Sequence, residues 1–398
     1  MTVSLFRSRA NTHRGAPVVD IDLYGDEVID DAHAVYRRIR DAGPVVWLPR
    51  HRMFAVGRFD DVRALLRDDA TFRSGHGVAA NPLANALGRY TTLASDDDTH
   101  MTRRMILMHS LTSKAIRQSL PAFETEAVST VERLLGQPDF DGIADFATRL
   151  PVQAVAQLVG LDVTAEQMLT WGRSTFDGLG PTNRRAVRSI GGSLGLFGYT
   201  LKVGRRHVRP DGWGSTILDA ADRGEVGRLE AKNMIIDFVA PSLDTTILST
   251  GQLLWSLGTN PTVWQQIRED PELIPAAVVE AVRLASPVRS FTRRVAAHTR
   301  IGGVALRPGD RVAVLFAAAN TDERQFHHPE QFSLLRNGGN VGWGHGIHTC
   351  VGMQLAKLEM QTLLRAMVPR VTTITVEHGE RLRNNCLQGF ESFRASFR

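Results

Sequence analysis

The most constraining feature of this 398-residue sequence is a glycine-rich segment, residues 342–352, that brings Cys350 to the start of a helical pattern: Gly-Trp-Gly-His-Gly-Ile-His-Thr-Cys-Val-Gly. Backbone N–H groups at a helix N-terminus stabilise negative charge and lower the pKa of a thiol. Glycines let a bulky planar group lie close to the backbone. A lone cysteine is usually only a small buried apolar residue, so the prediction of a charged sulfur depends on the spacing of the whole segment.

Two other motifs pair charged residues on predicted helices. Glu280 and Arg283 are three residues apart on an Ala/Val-rich helix, and His100 and Arg104 are one helical turn apart. Taken alone, both pairs are explained as solvated surface charges. The Ala/Val-rich surroundings of Glu280 and Arg283 favour burial of that pair.

A long apolar helix is predicted at 233–257, interrupted by Pro241, and it carries the pair Asp244-Thr245. Burying a carboxyl and a hydroxyl group in an apolar helix costs free energy unless both form hydrogen bonds or have a function. The structural alternative is a threonine hydroxyl bonded to the carbonyl four residues earlier. Proline removes a backbone hydrogen bond one turn earlier, so a local kink is expected.

Together these motifs resemble those of the cytochrome P-450 family, in its soluble bacterial form. The family's haem-binding signature is an aromatic residue followed by Gly-x-Gly-x-His-x-Cys-x-Gly, with Trp343 standing here where phenylalanine is usual. The motifs occur in the family's order and span residues 31–398. The residues that match the signature are Trp343, Gly344, Gly346, His348, Cys350 and Gly352.

The resemblance implies a mainly α fold with a small β region, as one catalytic domain over residues 1–398 with no fused reductase. Haem b is expected between the long distal helix and the cysteine-bearing loop and helix, with Cys350 as the thiolate ligand of the iron. The residues that the resemblance assigns to the haem, its propionates included, are His100, Arg104, Arg293 (or its neighbour Arg294), Trp343, Gly344 and His348.

The resemblance assigns proton relay and a hydrogen bond to dioxygen to Asp244 and Thr245. The Glu280–Arg283 pair is expected to be structural and to have a third polar partner. Pro-Glu-Gln-Phe at 329–332 offers Gln331 where the family often has arginine, and Arg336 is the alternative. The indole N–H of Trp343 is a candidate for altering hydrogen bonding near the sulfur.

Composition excludes several classes of protein. Lys+Arg number 47 and Asp+Glu 42, without a block of like charge, so a nucleic-acid arm is not expected. The two cysteines, Cys350 and Cys386, rule out a disulfide framework and favour the cytoplasm; Cys386 is placed in a polar C-terminal loop. The sequence contains no uninterrupted run of about 18 apolar residues, so a membrane-spanning helix is not expected. We expect a cytoplasmic monomer.

The substrate pocket is predicted from several apolar segments, some of which resemble the branch of the family that O-demethylates small methoxyaromatics. Three phenylalanines from separate elements suggest an apolar cage for an aromatic ring; ordinary core packing is the alternative. Ser242 or Arg89 is a candidate for binding a polar ring substituent. The predicted pocket residues are Phe176, Leu179, Val239, Ser242, Val288, Phe291 and Phe390.

The function that follows is an oxygen-dependent monooxygenase acting on a small hydrophobic substrate, with electrons from a separate ferredoxin and ferredoxin reductase. Arg63, Arg67, Arg103 and Lys357 are the predicted docking patch for an acidic donor. A peroxygenase using hydrogen peroxide is an alternative that the Asp-Thr pair disfavours. A second alternative is a haem-binding sensor or carrier that does not turn over a substrate. Catalysis in the presence of reductant and substrate would exclude this alternative. No Gly-x-Gly-x-x-Gly follows a strand, so a dinucleotide-binding dehydrogenase is not expected.

Local patterns predict an amphipathic helix at 31–41, β-rich runs at 45–48 and 53–56, a long loop at 75–90, and a helix that begins near the acidic run at 96–98. A β region at 304–314 is expected to turn at Pro308-Gly309-Asp310.

Overall fold

Helices form most of the chain in the computed structural model, which describes residues 12–336 and 338–398. The α-helices in chain order are α1 (Asp26–Asp30), α2 (Ala32–Ala42), α3 (Phe59–Arg67), α4 (Pro82–Gly88), α5 (Asp97–Ser110), α6 (Ser113–Leu135), α7 (Arg149–Val159), α8 (Ala165–Gly178), α9 (Arg184–Arg188), α10 (Ile190–Lys202), α11 (Trp213–Asp222), α12 (Arg228–Ile236), α13 (Ala240–Thr259), α14 (Pro261–Glu269), α15 (Ile274–Ala285), α16 (Phe316–Asn320) and α17 (Met353–Met367). Short 3-10 turns and one π-helical segment, Gly142–Ala147, join some of them.

The strands form small sheets at the periphery of the helical body. They are β1 (Thr12–His13), β2 (Ala16–Pro17), β3 (Val46–Leu48), β4 (Met53–Val56), β5 (Phe72–Arg73), β6 (Phe140–Asp141), β7 (Phe291–Val295), β8 (Thr299–Ile301), β9 (Val304–Leu306), β10 (Arg311–Val314), β11 (Ile374–Arg381) and β12 (Phe390–Phe397). The largest sheet has the order β3-β4-β10-β7-β5, and within it only β10 and β4 are parallel. The predicted mainly α fold with a small β region is confirmed.

Local sequence signals account for several boundaries. The Asp31 side chain accepts a hydrogen bond from the N–H of Ala34 and caps α2, whose buried face carries Tyr36 and Ile39. The strands predicted at 45–48 and 53–56, the helix start near 96–98 and the turn before β10 are confirmed. Asp96 stands at the start of α5, but its carboxylate accepts hydrogen bonds from the N–H groups of Ser74 and Gly75 instead of capping that helix.

Two predictions about these elements were wrong. The segment 75–90 is not wholly a loop, because Asn81 caps the short helix α4 with Pro82 in its first turn. The predicted helix at 233–257 is two helices, α12 and α13, separated by turn residues 237–239. Pro241 therefore lies in the first turn of α13, where a proline costs no helical hydrogen bond, instead of kinking a continuous helix.

The core centres on α13, which packs against α8, α15 and the π-helical segment. Its inward side chains Leu243, Leu253 and Leu257 are almost fully buried. The last helix, α17, packs on α6 and α15, so that α13 and α17 become neighbours across one cavity. Among the described residues no helix is long and apolar enough to span a membrane.

Candidate active site

A cavity of about 790 Å³ opens between α5, α13, α17 and the segment 341–352, with Cys350 on its wall. The segment 341–352 is called the thiolate loop below. It folds back on itself, since the N–H of Cys350 donates to the carbonyl of Trp343 at 2.8 Å and the N–H of Gly344 to that of Val341 at 3.0 Å. These bonds fix the sulfur at the entrance to α17, as the sequence predicted.

Glycine is required at two positions of this loop. Gly344 and Gly346 both have φ of 72°, a left-handed backbone that favours glycine. At Gly346 a Cβ atom would also lie 2.3 Å from the carbonyl oxygen of Leu66, which clamps the loop against the end of α3. The alternating glycines of the sequence therefore reflect backbone conformation and close packing.

The protein environment acts on the Cys350 thiol in two directions. Burial raises its pKa, whereas the N–H groups of Gly352 and Met353 and the nearby Arg104 guanidinium lower it. The predicted stabilisation of the thiolate by backbone N–H groups is present, but burial outweighs it. A cation bound to the sulfur would supply the missing stabilisation.

Four basic side chains surround the same end of the cavity. The rings of His100 and His348 are 4.1 Å apart, and both line the cavity with Arg104 and Arg293. Among the described residues, no carboxylate forms an ion pair with either arginine. Burial, together with Arg293, His100 and Arg104, lowers the pKa of His348 to about 2, and burial lowers that of Arg293 to about 10. Two arginine cations without an ion-pair partner among the described residues, beside two imidazole rings, call for a bound anion.

These features fit haem b. A dianionic cofactor would neutralise Arg104 and Arg293, and its propionates would accept hydrogen bonds from the His100 and His348 rings, whose neutral forms each still carry one N–H. The His348 Nε2 atom is buried and has no hydrogen-bond partner within the described part of the chain. Of the two arginines left open by the sequence, Arg293 is buried and faces the cavity while Arg294 is exposed.

Trp343 also lines the cavity, and its indole nitrogen is buried without a hydrogen-bond acceptor among the described residues. It therefore makes no hydrogen bond to the Cys350 sulfur. The Nζ atom of Lys357 lies 6.0 Å from the centre of the Trp343 ring. Trp343 therefore packs beside the thiolate loop, and its indole N–H makes none of the hydrogen bonds found around the sulfur in the described residues.

The Glu280–Arg283 pair is buried and supports the thiolate loop from behind. Arg283 donates to both carboxylate oxygens of Glu280 at 2.8 Å and to the carbonyl of Asn320 at 2.7 Å. Arg336 donates to Glu280 at 2.7 Å, whereas Gln331 contributes only its backbone carbonyl. Arg336 is therefore the third member of the network. Because the Asn320 amide oxygen accepts from the N–H of Val341, the network reaches the start of the loop.

Asp244 and Thr245 diverge on α13. Thr245 lines the cavity, and its hydroxyl donates to the carbonyl of Pro241 at 2.7 Å, which is the back-bonded conformation. Asp244 is buried on the far side of the helix, with its Oδ1 atom 3.8 Å from Nε of Arg173. Its Oδ2 atom has no hydrogen-bond partner in residues 12–336 and 338–398. Burial raises the pKa of Asp244 to about 7. With its hydrogen directed at Pro241, the Thr245 oxygen faces the cavity as an acceptor, so the predicted donor role requires the hydroxyl to turn.

Five of the seven predicted pocket residues line the cavity: Phe176, Leu179, Ser242, Val288 and Phe291. The other two predictions were wrong. Val239 lies in the turn before α13 and is buried in the main core. Phe390 packs on Trp255, with ring centres 4.6 Å apart, away from the cavity. Arg89 is turned outward over the ring of Tyr90 and does not line the cavity.

Two further predictions need correction. Arg103 is buried, donating to Glu230 at 2.6 Å and to the carbonyl of Thr91 at 2.8 Å, so it cannot belong to an exposed docking patch. Cys386 is not in polar surroundings, because it is buried in an apolar cluster with Phe176 and Leu248. Burial raises the pKa of the Cys386 thiol to about 12.

Sequence reasoning missed Glu359 and the ion pair of Arg173 with Glu391 near this site. Glu359 of α17 lines the cavity, and burial raises its pKa to about 8. No described residue forms a hydrogen bond with its Oε2 atom. Arg173 of α8 joins Asp244 to Glu391, to which it donates at 2.6 Å. The helical periodicity of α17 could have revealed Glu359, because it places this glutamate on the apolar side of the helix. The contacts of Arg173 depend on the tertiary packing of α8 and have no such signal in the sequence.

Comparison with known proteins agrees with this geometry. The family profile described as Cytochrome P-450 matches residues 215–391. The chain is 29% identical over 386 residues to cytochrome P-450 CYP199A2 of Rhodopseudomonas palustris, covering 95% of this chain and 94% of the other. It is 30% identical over 375 residues to cytochrome P-450 144 of Mycobacterium tuberculosis, covering 88% of this chain and 85% of the other.

A solved structure supports the fold. The haem domain of CYP116B5 from Acinetobacter radioresistens superposes with a TM-score of 0.84 at 20% identity, over 95% of this chain and 97% of that one. With the thiolate loop and its basic surroundings, these likenesses show that the chain belongs to the cytochrome P-450 family. It is a haem b-binding monooxygenase.

Proposed function

We propose that the chain inserts one oxygen atom of O2 into a C–H bond of a small, uncharged, hydrophobic substrate. A methoxyaromatic compound is the first candidate, and hydroxylation or O-demethylation is the outcome. The observation that carries the proposal is the distribution of charge on the cavity wall. Its basic side chains are His100, Arg104, Arg293, His345 and His348, all beside or within the thiolate loop.

Elsewhere on the wall, the described residues include no basic group for a substrate carboxylate. Phe176 and Phe291 present aromatic surface to the cavity, with Val288 and Leu179 beside them, and such surfaces favour an aromatic ring. Arg89, the remaining candidate for binding an acid, is turned away. Ser242 lines the cavity and offers a hydroxyl to a neutral polar substituent.

Within the proposal, Cys350 ligates the iron, and Arg104, Arg293, His100 and His348 hold the propionates. The bound haem supplies the site at which dioxygen binds and is activated. The protein's own task is to hold the substrate against the apolar wall and to deliver protons on demand.

Asp244 and Thr245 are the proposed proton route. Arg173 and Glu391 are both about two-fifths exposed, so they connect the Asp244 carboxyl with solvent. With a pKa raised to about 7, Asp244 can both hold and release a proton near neutral pH. The Thr245 hydroxyl then presents the proton at the cavity wall after releasing the Pro241 carbonyl.

Two substitutions test this route. Thr245→Ala should keep haem and substrate binding but divert electrons to peroxide, measured as peroxide formed per electron pair consumed. Asp244→Asn should slow turnover while leaving the ferric spectrum unchanged. If both variants keep full coupling and rate, the route is misassigned and Ser242 is the next candidate.

Electrons are proposed to come from a separate ferredoxin with its reductase. Arg63, Arg67 and Lys357 remain as candidates for a docking patch after the loss of Arg103. Arg67 is exposed and contacts His345 of the thiolate loop at 2.8 Å, and Lys357 lies over Trp343. Attraction between such exposed charges weakens with salt.

The substrate proposal is tested by spectral titration of the ferric protein. Uncharged methoxyphenols and methoxybenzenes should shift the Soret band toward the high-spin position, followed by release of formaldehyde on turnover. Matched methoxybenzoates carry the same ether and an added carboxylate, and they should bind more weakly. A high-spin shift with terpenes or fatty acids alone, or tighter binding of the benzoates, would overturn the substrate assignment.

A further inference from the structure

An acidic side chain that the proposed proton route does not use lines the cavity near the start of α13. Asp237 lies in the turn between α12 and α13 and borders the cavity, as Ser242 and Thr245 do further along the chain. Among the described residues that line the cavity, the only other carboxyl group belongs to Glu359 of α17. Asp237 is therefore a single acidic group in a part of the wall that is mostly apolar.

The protein satisfies this carboxyl group only in part. The N–H of Thr92 donates to its Oδ2 atom at 2.8 Å, and Thr92 is the only described residue that donates to it. The charge of Arg103 acts on Asp237, but the ion pair of Arg103 is with Glu230, at 2.6 Å. Because a carboxylate offers about four acceptor positions, Asp237 keeps unused acceptor capacity at the cavity wall.

The ionised form of Asp237 is the one that needs a further donor. Burial raises its pKa to about 6, whereas Thr92 and the Arg103 charge lower it. Above neutral pH the group is therefore mainly a carboxylate, which can only accept hydrogen bonds. A buried charged acceptor that lacks donors is costly. A ligand that carries an N–H or O–H group into the cavity would reduce that cost.

A purely structural role for Asp237 is the alternative. The carbonyl of Thr92 accepts from the Ser95 hydroxyl at 2.7 Å and lies 3.2 Å from Nδ1 of His100. By holding Thr92, Asp237 helps to hold His100 at the thiolate end of the cavity. That role needs only an oxygen atom to accept from the Thr92 N–H, so an asparagine at this position would serve it equally well.

We propose that Asp237 selects the polar substituent of the substrate, its carboxylate accepting a hydrogen bond from a neutral donor such as a phenol hydroxyl. Asp237 precedes Thr245 by about two helical turns, so a substrate oxidised beside Thr245 would present its far end to Asp237. The inference rests on the proposed function and narrows its substrate class to aromatic ethers with a hydroxyl group. A binding site built to accept a hydrogen bond discriminates strongly against analogues that lack the donor.

The test compares three ligands that share a methoxy-substituted ring and differ in one group at the same ring position. Methoxyphenol carries a donor, methoxytoluene a methyl group of similar size, and methoxybenzaldehyde only an acceptor. Each is titrated into the ferric, haem-loaded protein at about pH 8, where Asp237 is ionised, and the Soret shift gives the Kd. Asp237→Asn keeps an oxygen for the Thr92 N–H and turns an NH2 group toward the cavity. Asp219→Asn is the control, since it removes an equal charge at an exposed site on α11.

We expect wild type to bind methoxyphenol about tenfold more tightly than methoxytoluene, as for a hydrogen bond to a charged acceptor. In Asp237→Asn this ratio should fall to about one, because the charged acceptor is lost. Methoxybenzaldehyde should bind the same variant several-fold more tightly than wild type, because its carbonyl can accept from the new NH2 group. Asp219→Asn should give the wild-type ratio with all three ligands.

An Asp237→Asn variant that keeps the wild-type ratio would assign Asp237 to structure alone and overturn the inference. Equal affinity of wild type for methoxyphenol and methoxytoluene would overturn it without any variant, and both results leave the proposed function in place. Loss of the ratio in Ser242→Ala but not in Asp237→Asn would transfer recognition of the hydroxyl to Ser242, contrary to the proposal. If none of the three ligands shifts the Soret band, the proposed substrate class fails and the inference fails with it.

Discussion

The two ends of the cavity are built from different chemistry. At the thiolate end, His100, Arg104, Arg293 and His348 surround Cys350 without an anionic partner among the described residues. Away from this end the wall is mostly apolar, and it includes six half-exposed side chains of α4, α9 and α10: Leu83, Leu87, Val187, Ile190, Leu194 and Phe197.

This difference separates a fixed ligand from a variable one. Directed polar groups bind one ligand in one orientation, because each unmet hydrogen bond or charge is costly when buried. Apolar surface is non-directional and discriminates weakly between ligands of similar size. The thiolate end is therefore specific for one cofactor, whereas the apolar end selects substrates mainly by their shape.

The largest expected effect concerns the sulfur itself. Cys350→Ser should abolish the red-shifted carbonyl band of thiolate ligation altogether, because a hydroxyl cannot replace the thiolate as a strong donor. Cys386→Ser is the matched control: it should keep the band and lower only stability, since it places a hydroxyl in a buried apolar cluster. A red-shifted band in the Cys350 variant would contradict the assignment.

The next effect tests whether the basic groups hold the cofactor. Arg293→Ala should weaken haem binding by up to about 100-fold, the range found when groups that support a metal site are removed. Haem transfer to apomyoglobin provides the measurement. Arg294→Ala, at the adjacent exposed position, should change haem retention little. Equal haem loss from both variants would remove the distinction between the two arginines.

Asp244, on the side of α13 away from the cavity, gives a smaller, pH-dependent effect. Its pKa is raised from 3.8 to about 7 in the folded protein. Between these values the folded state binds more protons than the unfolded state, so the free energy of unfolding falls as pH rises through this window. Asp244→Asn should remove that loss and gain about 2 kcal/mol more stability at pH 8 than at pH 5, by urea titration. An equal gain at both pH values would contradict the raised pKa.

The smallest effect concerns the apolar wall. Phe291→Ala should weaken substrate binding about tenfold and leave haem retention unchanged, because one buried aromatic contact is lost. Phe390→Ala provides the contrast, since Phe390 packs on Trp255 outside the cavity. It should lower the free energy of unfolding by about 3–5 kcal/mol and leave substrate binding unchanged. Reversed results would restore Phe390 to the pocket.

The same division decides how much of the site could be read from the sequence. Residues of the thiolate end occupy short motifs whose spacing fixes their positions, such as His100 with Arg104 and Cys350 with its glycines. Residues of the apolar wall come from distant segments, and any apolar side chain there serves equally well for core packing. Val239 and Phe390 were misplaced for that reason.

The fold shows a similar limit. Helix type and order followed from periodicity, but the break at 237–239 did not, because Pro241 is compatible with both an interior kink and a first-turn position. The third partner of Glu280 and Arg283 was likewise settled only by tertiary geometry, which brings Arg336 to within 2.7 Å of the glutamate.

Because Cys386 is buried, the reactivities of the two thiols depend on different events: haem binding for Cys350 and unfolding for Cys386. Cys350 is open to the cavity and becomes inaccessible when haem binds, whereas Cys386 is enclosed by apolar side chains. A thiol-reactive dye should therefore label no cysteine in the loaded protein, one in the folded protein without haem, and both after unfolding. A simple count of labelled thiols thus measures cofactor occupancy and folding separately in the same sample.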